Sequence, residues 1–191
     1  MIMSFEEDVK KSVEMIKSGK VILYPTDTIW GIGCDATNPK AVQRIFRLKG
    51  RAVGKSMIIL LDSVENLQKY VKQVPPIAFD LIENSASPIT IVYSGAYNLA
   101  KNLIAEDGSI AIRIVRDEYC QQVISKSGKP LVSTSANISG SPSPGTFLEI
   151  EEELKKKVDY VAASFRDRAG RIKPSTIIKL EESGIFKVLR P

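Results

Sequence analysis

Apolar positions along this chain change period repeatedly, and each change marks the border between a helix and a strand. Phe5, Val9, Val13 and Ile16 fall on one helical face. Ser4 and Glu7 precede that face with capping-box spacing, and Gly19 is a natural stop, so residues 4–18 are predicted helical. A short apolar run then predicts a strand over 20–24. Asn38-Pro39 opens the next helix, with Val42, Ile45 and Phe46 facing inward, and it ends near Lys49-Gly50. Residues 57–61 are almost continuously apolar, the mark of a strand buried on both faces. Helices are expected over 63–71 and 75–83, and a strand over 88–93. Over 109–115 the pattern alternates, with Ile110, Ile112 and Ile114 on one side and Ala111, Arg113 and Val115 on the other.

Asp117 caps a helix that reaches Lys126 and is ended by Gly128; a strand over 130–133 follows. Thr146 and Glu149 repeat the capping-box spacing, for a helix to about Lys157. Three short strands close the chain, over 160–163, 176–180 and 185–189. The last two form a hairpin about Glu181-Glu182-Ser183-Gly184. Helices and strands follow no regular βα repeat. The fold class is therefore α/β with α+β character: a single domain over 1–191, with one twisted sheet of parallel and antiparallel strands flanked by helices. Residues 139–144 and 166–174 read as loops, the second rich in Arg, Lys and Gly.

Composition narrows this picture. The 191 residues are 43% hydrophobic and 26% charged, enough for one sizeable core. No apolar stretch nears the roughly 20 residues that cross a bilayer, and the N-terminus is acidic where a signal peptide is basic. A cytoplasmic location without membrane association is expected. Cys34 and Cys120 are then expected to be reduced thiols. The chain has no histidine, which excludes Ser-His-Asp and Cys-His relays and any His-ligated metal. A net charge of +5 tolerates a polyanion such as ATP or RNA without identifying one.

Four segments carry candidate chemistry. Gly50 to Ser56 has the look of a phosphate-binding P-loop, but three residues separate its glycines instead of four. It also follows a helix and precedes a strand, the reverse of the required context, so that reading is rejected. Lys49, Arg51 and Lys55 remain, either as a grip on a triphosphate or as a solvated basic turn that complements a helix end. Thr26-Asp27-Thr28, after a strand, offers hydroxyls and a carboxylate to a ligand amine or a metal, or simply forms a turn. Ser133-Thr134-Ser135-Ala136-Asn137 offers either ligand donors or a helix cap. Arg113 sits inside a strand; if its face is buried it needs an anion, met by a carboxylate ligand or by an internal salt bridge.

Taken in order, Tyr24 to Gly33, Lys49-Gly50-Arg51, Ser133 to Asn137, Ser175-Thr176-Ile177-Ile178 and Leu189-Arg190-Pro191 resemble the YrdC-type family, the threonylcarbamoyl-AMP synthases. The likeness covers nearly the whole chain and implies a YrdC-like fold in its short, single-domain form. It implies that L-threonine and bicarbonate give a carbamate, which attacks the α-phosphate of ATP to form threonylcarbamoyl-AMP and pyrophosphate. A downstream threonylcarbamoyl-transferase complex would place the group on adenosine in tRNA. By motif, Thr28, Arg113, Ser133 and Ser175 would bind L-threonine. Arg51, Lys55, Ser109, Ser135, Ser143 and Arg190 would bind ATP, with Mg2+ carried on its phosphates. Lys49, Arg51, Ser135 and Asn137 would form the catalytic group, with no resident metal. Trp30 stands where Tyr is usual, Leu60 where some members have His, and residues 85–90 keep only Pro88 and Thr90 of the family's pattern. The residues also leave room for a second class, a non-catalytic paralogue that binds double-stranded RNA or tRNA.

Overall fold

The computed structural model describes residues 3–51, 57–167 and 174–191. Helix α1 (Phe5–Lys17) begins with the capping box the sequence predicts: Glu7 N donates to Ser4 Oγ at 3.2 Å and Ser4 N to Glu7 Oε2 at 2.9 Å. Strands β1 (Ile22–Tyr24) and β2 (Gly31–Gly33) follow, then α2 (Pro39–Lys49). Asn38 caps α2 through Lys40 N and Ala41 N. The middle of the chain holds β3 (Ile58–Leu61), a 3-10 turn (Val64–Lys69), α3 (Ile77–Asn84), β4 (Ile89–Tyr93) and β5 (Ile110–Ile114). The remainder holds α4 (Glu118–Ser127), β6 (Leu131–Ser135), α5 (Glu152–Lys157), β7 (Tyr160–Val161), β8 (Thr176–Leu180) and β9 (Phe186–Arg190).

The nine strands form one sheet in the order β7-β1-β2-β6-β3-β5-β4-β8-β9. The pairs β1–β7, β3–β5 and β4–β8 are parallel and the rest antiparallel, the mixed sheet expected. Helices α1 and α4 pack on each other; a bond between Ser12 Oγ and Tyr119 OH, 2.6 Å, joins them in the core. Ile59, Leu60 and Leu61 are all buried, so β3 is covered on both faces as its sequence predicts.

Four local expectations are corrected. Strand β2 is absent from the sequence reading, because two of its three residues are glycines with no strand signature. The glycines have a packing reason. A Cβ on Gly33 would stand 2.2 Å from Val132 O and 2.7 Å from the Tyr24 ring, so only glycine lets Tyr24 lie across β2. Strand β6 continues to Ser135, past the predicted end at 133, because Ser135 pairs with Gly31. The helix expected over 63–71 is a 3-10 turn over Val64–Lys69. The second capping box does not form. Glu149 Oε2 instead accepts from Gly145 N at 2.7 Å and closes a turn, and α5 starts only at Glu152.

Register decides what one sheet face presents. Directly opposed residues point to the same side of a sheet. Gly31 opposes Ser135, Ile58 opposes both Ser133 and Ala111, and Leu60 opposes Arg113. Ala111 also opposes Val92, two residues from Thr90 on β4. Thr90 opposes Ile177, which opposes Arg190. Serines 133 and 135, Arg113 and Arg190 therefore share one face although they are distant in sequence.

Candidate active site

On that face lies a cavity of about 210 Å3. Its polar wall includes Thr28, Arg51, Arg113, Ser133, Ser135 and Arg190, and Ser143 and Ser175 complete it. Eight residues singled out from the sequence are thus brought to one place. Trp30, Met57 and Ile177 supply apolar lining.

At one end is Arg113, only 4% exposed. Its Nη1 donates to Thr28 Oγ1 at 3.2 Å, and its Nη2 lies 3.2 Å from Asp27 Oδ1. The internal ion pair weighed for this residue therefore exists. It does not exhaust the guanidinium, because Arg113 Nε is buried with no hydrogen-bond partner in the protein. The Thr26-Asp27-Thr28 turn is held by Thr26 Oγ1, which takes Thr28 N at 3.1 Å and donates to Ile29 O at 2.7 Å. Ser175 Oγ bonds Thr90 Oγ1 at 2.7 Å, and the Arg190 guanidinium donates to Ser175 O at 2.8 and 3.2 Å. Burial, and then the charge of Arg113, hold the Arg190 pKa below its usual range.

At the other end, Gly50 takes a left-handed φ of 57° and turns the chain from Lys49 to Arg51. Arg51 lines the cavity, and burial lowers its pKa. Lys49 goes elsewhere. It is 2% exposed, and its Nζ donates to Ser135 O (2.6 Å), Asn137 O (2.7 Å) and Asn137 Oδ1 (3.2 Å). Ser135 Oγ donates in turn to Asn137 Oδ1 at 2.5 Å. The sequence groups Lys49 with cations for phosphate; the structure commits its ammonium to the end of β6. Burial, with Arg51 nearby, pushes its pKa down to about 8. Lys49, Asn137, Arg51 and Ser135 together line a recess next to the main cavity.

Among the described residues, one predicted residue reaches neither the cavity nor the recess. Ser109 is on the face of Arg113 but at the far end of β5, its hydroxyl donating to Asp107 Oδ1 at 2.5 Å. Lys55 lies outside the described residues. Asp27, whose carboxylate the sequence offers to a ligand amine or a metal, instead pairs with Arg113, and Thr90, marked in the sequence only as a retained family position, holds Ser175. Among the described residues no three His, Cys, Asp or Glu side chains gather as a metal site. Three guanidinium groups and a row of hydroxyls on one cavity can hold an extended polyanion and orient it, without activating a nucleophile of the protein's own.

Fold and cavity thus define an α/β domain with a cavity lined by guanidinium and hydroxyl groups on one face of its mixed sheet. A family model for Sua5, YciO and YrdC, described as telomere recombination, matches residues 14–191, and the chain belongs to this family. It is 36% identical over 188 residues to a putative threonylcarbamoyl-AMP synthase of Methanocaldococcus jannaschii, covering 96% of this chain and 87% of that one. It is 31% identical over 188 residues to the threonylcarbamoyl-AMP synthase of Pseudoalteromonas translucida, covering 97% and 100%. Among solved structures, P. abyssi Sua5 complexed with L-threonine superposes with a TM-score of 0.86 at 29% identity, over 98% of this chain. The match spans 54% of that longer protein.

Proposed function

We propose that this chain is a threonylcarbamoyl-AMP synthase. The observation that carries the reading is the meeting of Arg51, Arg113 and Arg190 with Thr28 and the serines on one cavity wall. The enzyme names of its relatives support this reading over RNA binding without chemistry.

The Arg113 guanidinium, part of the cavity wall, pairs with the carboxylate of L-threonine, with Thr28, Ser133 and Ser175 around the amino acid. Arg51, Ser135, Ser143 and Arg190 bind the triphosphate side, together with Lys55. Mg2+ enters on the ATP phosphates with oxygen ligands. The amine of threonine and bicarbonate give a carbamate and water. A carbamate oxygen then attacks the α-phosphorus, and the bond to pyrophosphate breaks. The nucleophile is already an anion, so a chain without histidine loses nothing. The task of the protein is to hold two anions in line, which positioning and fixed positive charge accomplish. The product is an activated acyl donor for adenosine in tRNA, passed on by a transferase complex in the cytoplasm. No helix among the described residues is long and apolar enough to cross a membrane.

The test is pyrophosphate release from ATP by purified protein. Release that needs both L-threonine and bicarbonate is expected; release that ignores either one ends the assignment.

A further inference from the structure

Asp27 pairs with a cation of the cavity, and it does so from behind the wall. Its Oδ1 stands 3.2 Å from Arg113 Nη2 without the alignment of a hydrogen bond. Its Oδ2 accepts from Arg116 N at 3.4 Å. Arg116 is itself anchored: its guanidinium donates to Ile82 O at 2.9 Å and Ser85 O at 3.2 Å, at the end of α3. The carboxylate side chain is 15% exposed against 4% for Arg113, and Asp27 does not line the cavity, although its neighbour Thr28 does.

We infer that Asp27 is a positioning residue that holds the guanidinium of Arg113 in place at the cavity wall. The argument is geometric. A guanidinium has five donors in a rigid plane, so fixing two nitrogens fixes the third. Thr28 Oγ1 accepts from Nη1, and the charge of Asp27 Oδ1 draws Nη2 from 3.2 Å, so the group is restrained at both terminal nitrogens. Both holding groups come from one three-residue turn, whose own bonds keep it rigid. Asp27 also offsets a buried positive charge that Arg190 crowds. A neutral side chain at position 27 would leave Arg113 free to tilt, and a tilt of a bidentate fork misplaces every atom it binds. The inference rests on the functional reading above for the identity of the ligand, L-threonine.

The test is steady-state kinetics of Asp27→Asn, which keeps the size of the side chain and removes its charge. KM for L-threonine is expected to rise about tenfold, while KM for ATP stays within twofold. A lesion of the fold would move both, or lower the melting temperature without splitting them. Arg113→Lys provides the second arm, because it keeps the charge and loses the plane. In an Arg113→Lys background, Asp27→Asn is expected to add less than a twofold effect, since no guanidinium remains to be held. Should Asp27→Asn be too unstable to assay alone, its effect relative to Arg113→Lys is read in Asp27→Glu, expected to fall between wild type and Asn. An unchanged KM for threonine, an equal rise for both substrates, or a tenfold effect that persists in the Arg113→Lys background overturns the inference. If wild-type protein releases no pyrophosphate in response to threonine, the functional reading fails and takes this one with it. A wild type that responds, beside an Asp27→Asn chain that is indistinguishable from it, removes the inference alone.

Discussion

Two buried cations, Arg113 in the cavity wall and Lys49 in the recess beside it, are satisfied in opposite ways. Among the described residues Lys49 meets neutral oxygens: the carbonyls of Ser135 and Asn137, the Asn137 side chain and, at 3.5 Å, Ser135 Oγ. An ammonium has three protons to give, and three acceptors within 3.2 Å take them all. Arg113 meets a carboxylate and a hydroxyl while its side chain lines the cavity. The difference separates two kinds of work. Lys49 shapes the end of β6 that carries Ser135 and Asn137, and so acts on a ligand through other groups. Arg113 is held by its neighbours at the cavity wall, where the proposed function puts the carboxylate of threonine.

The sharpest way to break this comparison is to remove each cation and ask which substrate notices. Arg113→Met is expected to have the largest effect, a fall of about a hundredfold or more in kcat/KM for L-threonine, or roughly 3 kcal/mol of transition-state stabilisation. Initial-rate kinetics over a threonine series, at saturating ATP, measure it. A fall of less than threefold would mean that Arg113 serves only its ion pair.

Lys49→Met comes next. It strips the donor from two buried carbonyls, at about 1–3 kcal/mol each, and relieves the cost of burying a charge. The net expectation is a melting temperature lower by about 5 °C, in line with a few degrees per kcal/mol for a chain of this size. With it goes a roughly tenfold rise in KM for ATP and little change for threonine. The same residue gives the comparison a pH signature. Lys49 sheds its proton near pH 8 in the folded chain, against an ordinary 10.5. Between those values the unfolded chain binds more protons, so this residue's contribution to stability rises with pH there, on the order of 1–3 kcal/mol in all. Activity moves the other way, because the neutral amine has lost a donor and its charge. Above pH 8 wild type is expected to lose affinity for ATP relative to Lys49→Met, while its melting temperature gains on that of the variant. Parallel pH profiles for the two proteins would show that Lys49 does not titrate in this range.

The contrast also explains what could be read in the chain. The alternation of Ile110, Ile112 and Ile114 with Arg113 announced a strand with a charged side chain turned to one face, and the structure has that strand. The serines after residue 132 were legible as a polar cluster. Their pairing with Gly31 was not, since a three-residue strand containing two glycines has no periodicity to detect, and its reason lies in the ring of Tyr24, which reaches over from β1. Likewise Lys49 and Arg51 look alike in sequence. A left-handed Gly50 between them sends one into the protein and the other to the cavity, and which goes where depends on acceptors that arrive from β6, 86 and 88 positions later. Thr146 and Glu149 mislead for the opposite reason. Their spacing is right for a cap, but Gly145 N lies closer to hand for the carboxylate.

The smallest effect is expected at Ser109, and it tests where the nucleotide half of the cavity ends. Family likeness places this serine with ATP. Its side chain shares the face of Arg113, four residues before it, or about 13 Å along the strand at 3.3 Å per residue. Its hydroxyl is already engaged by Asp107, which Lys179 holds at 3.2 Å from the other side, and the residue is 6% exposed. A hydroxyl bonded and buried in this way resembles Lys49 more than Arg113: its partner is inside the protein. Ser109→Ala is therefore expected to leave KM for ATP within twofold and to cost about 1 kcal/mol of stability from the lost hydrogen bond, read by thermal melting. A tenfold rise in KM for ATP would instead extend the nucleotide site along β5 past Ala111. Ser109 would then join Arg113 among the groups that meet ligand directly.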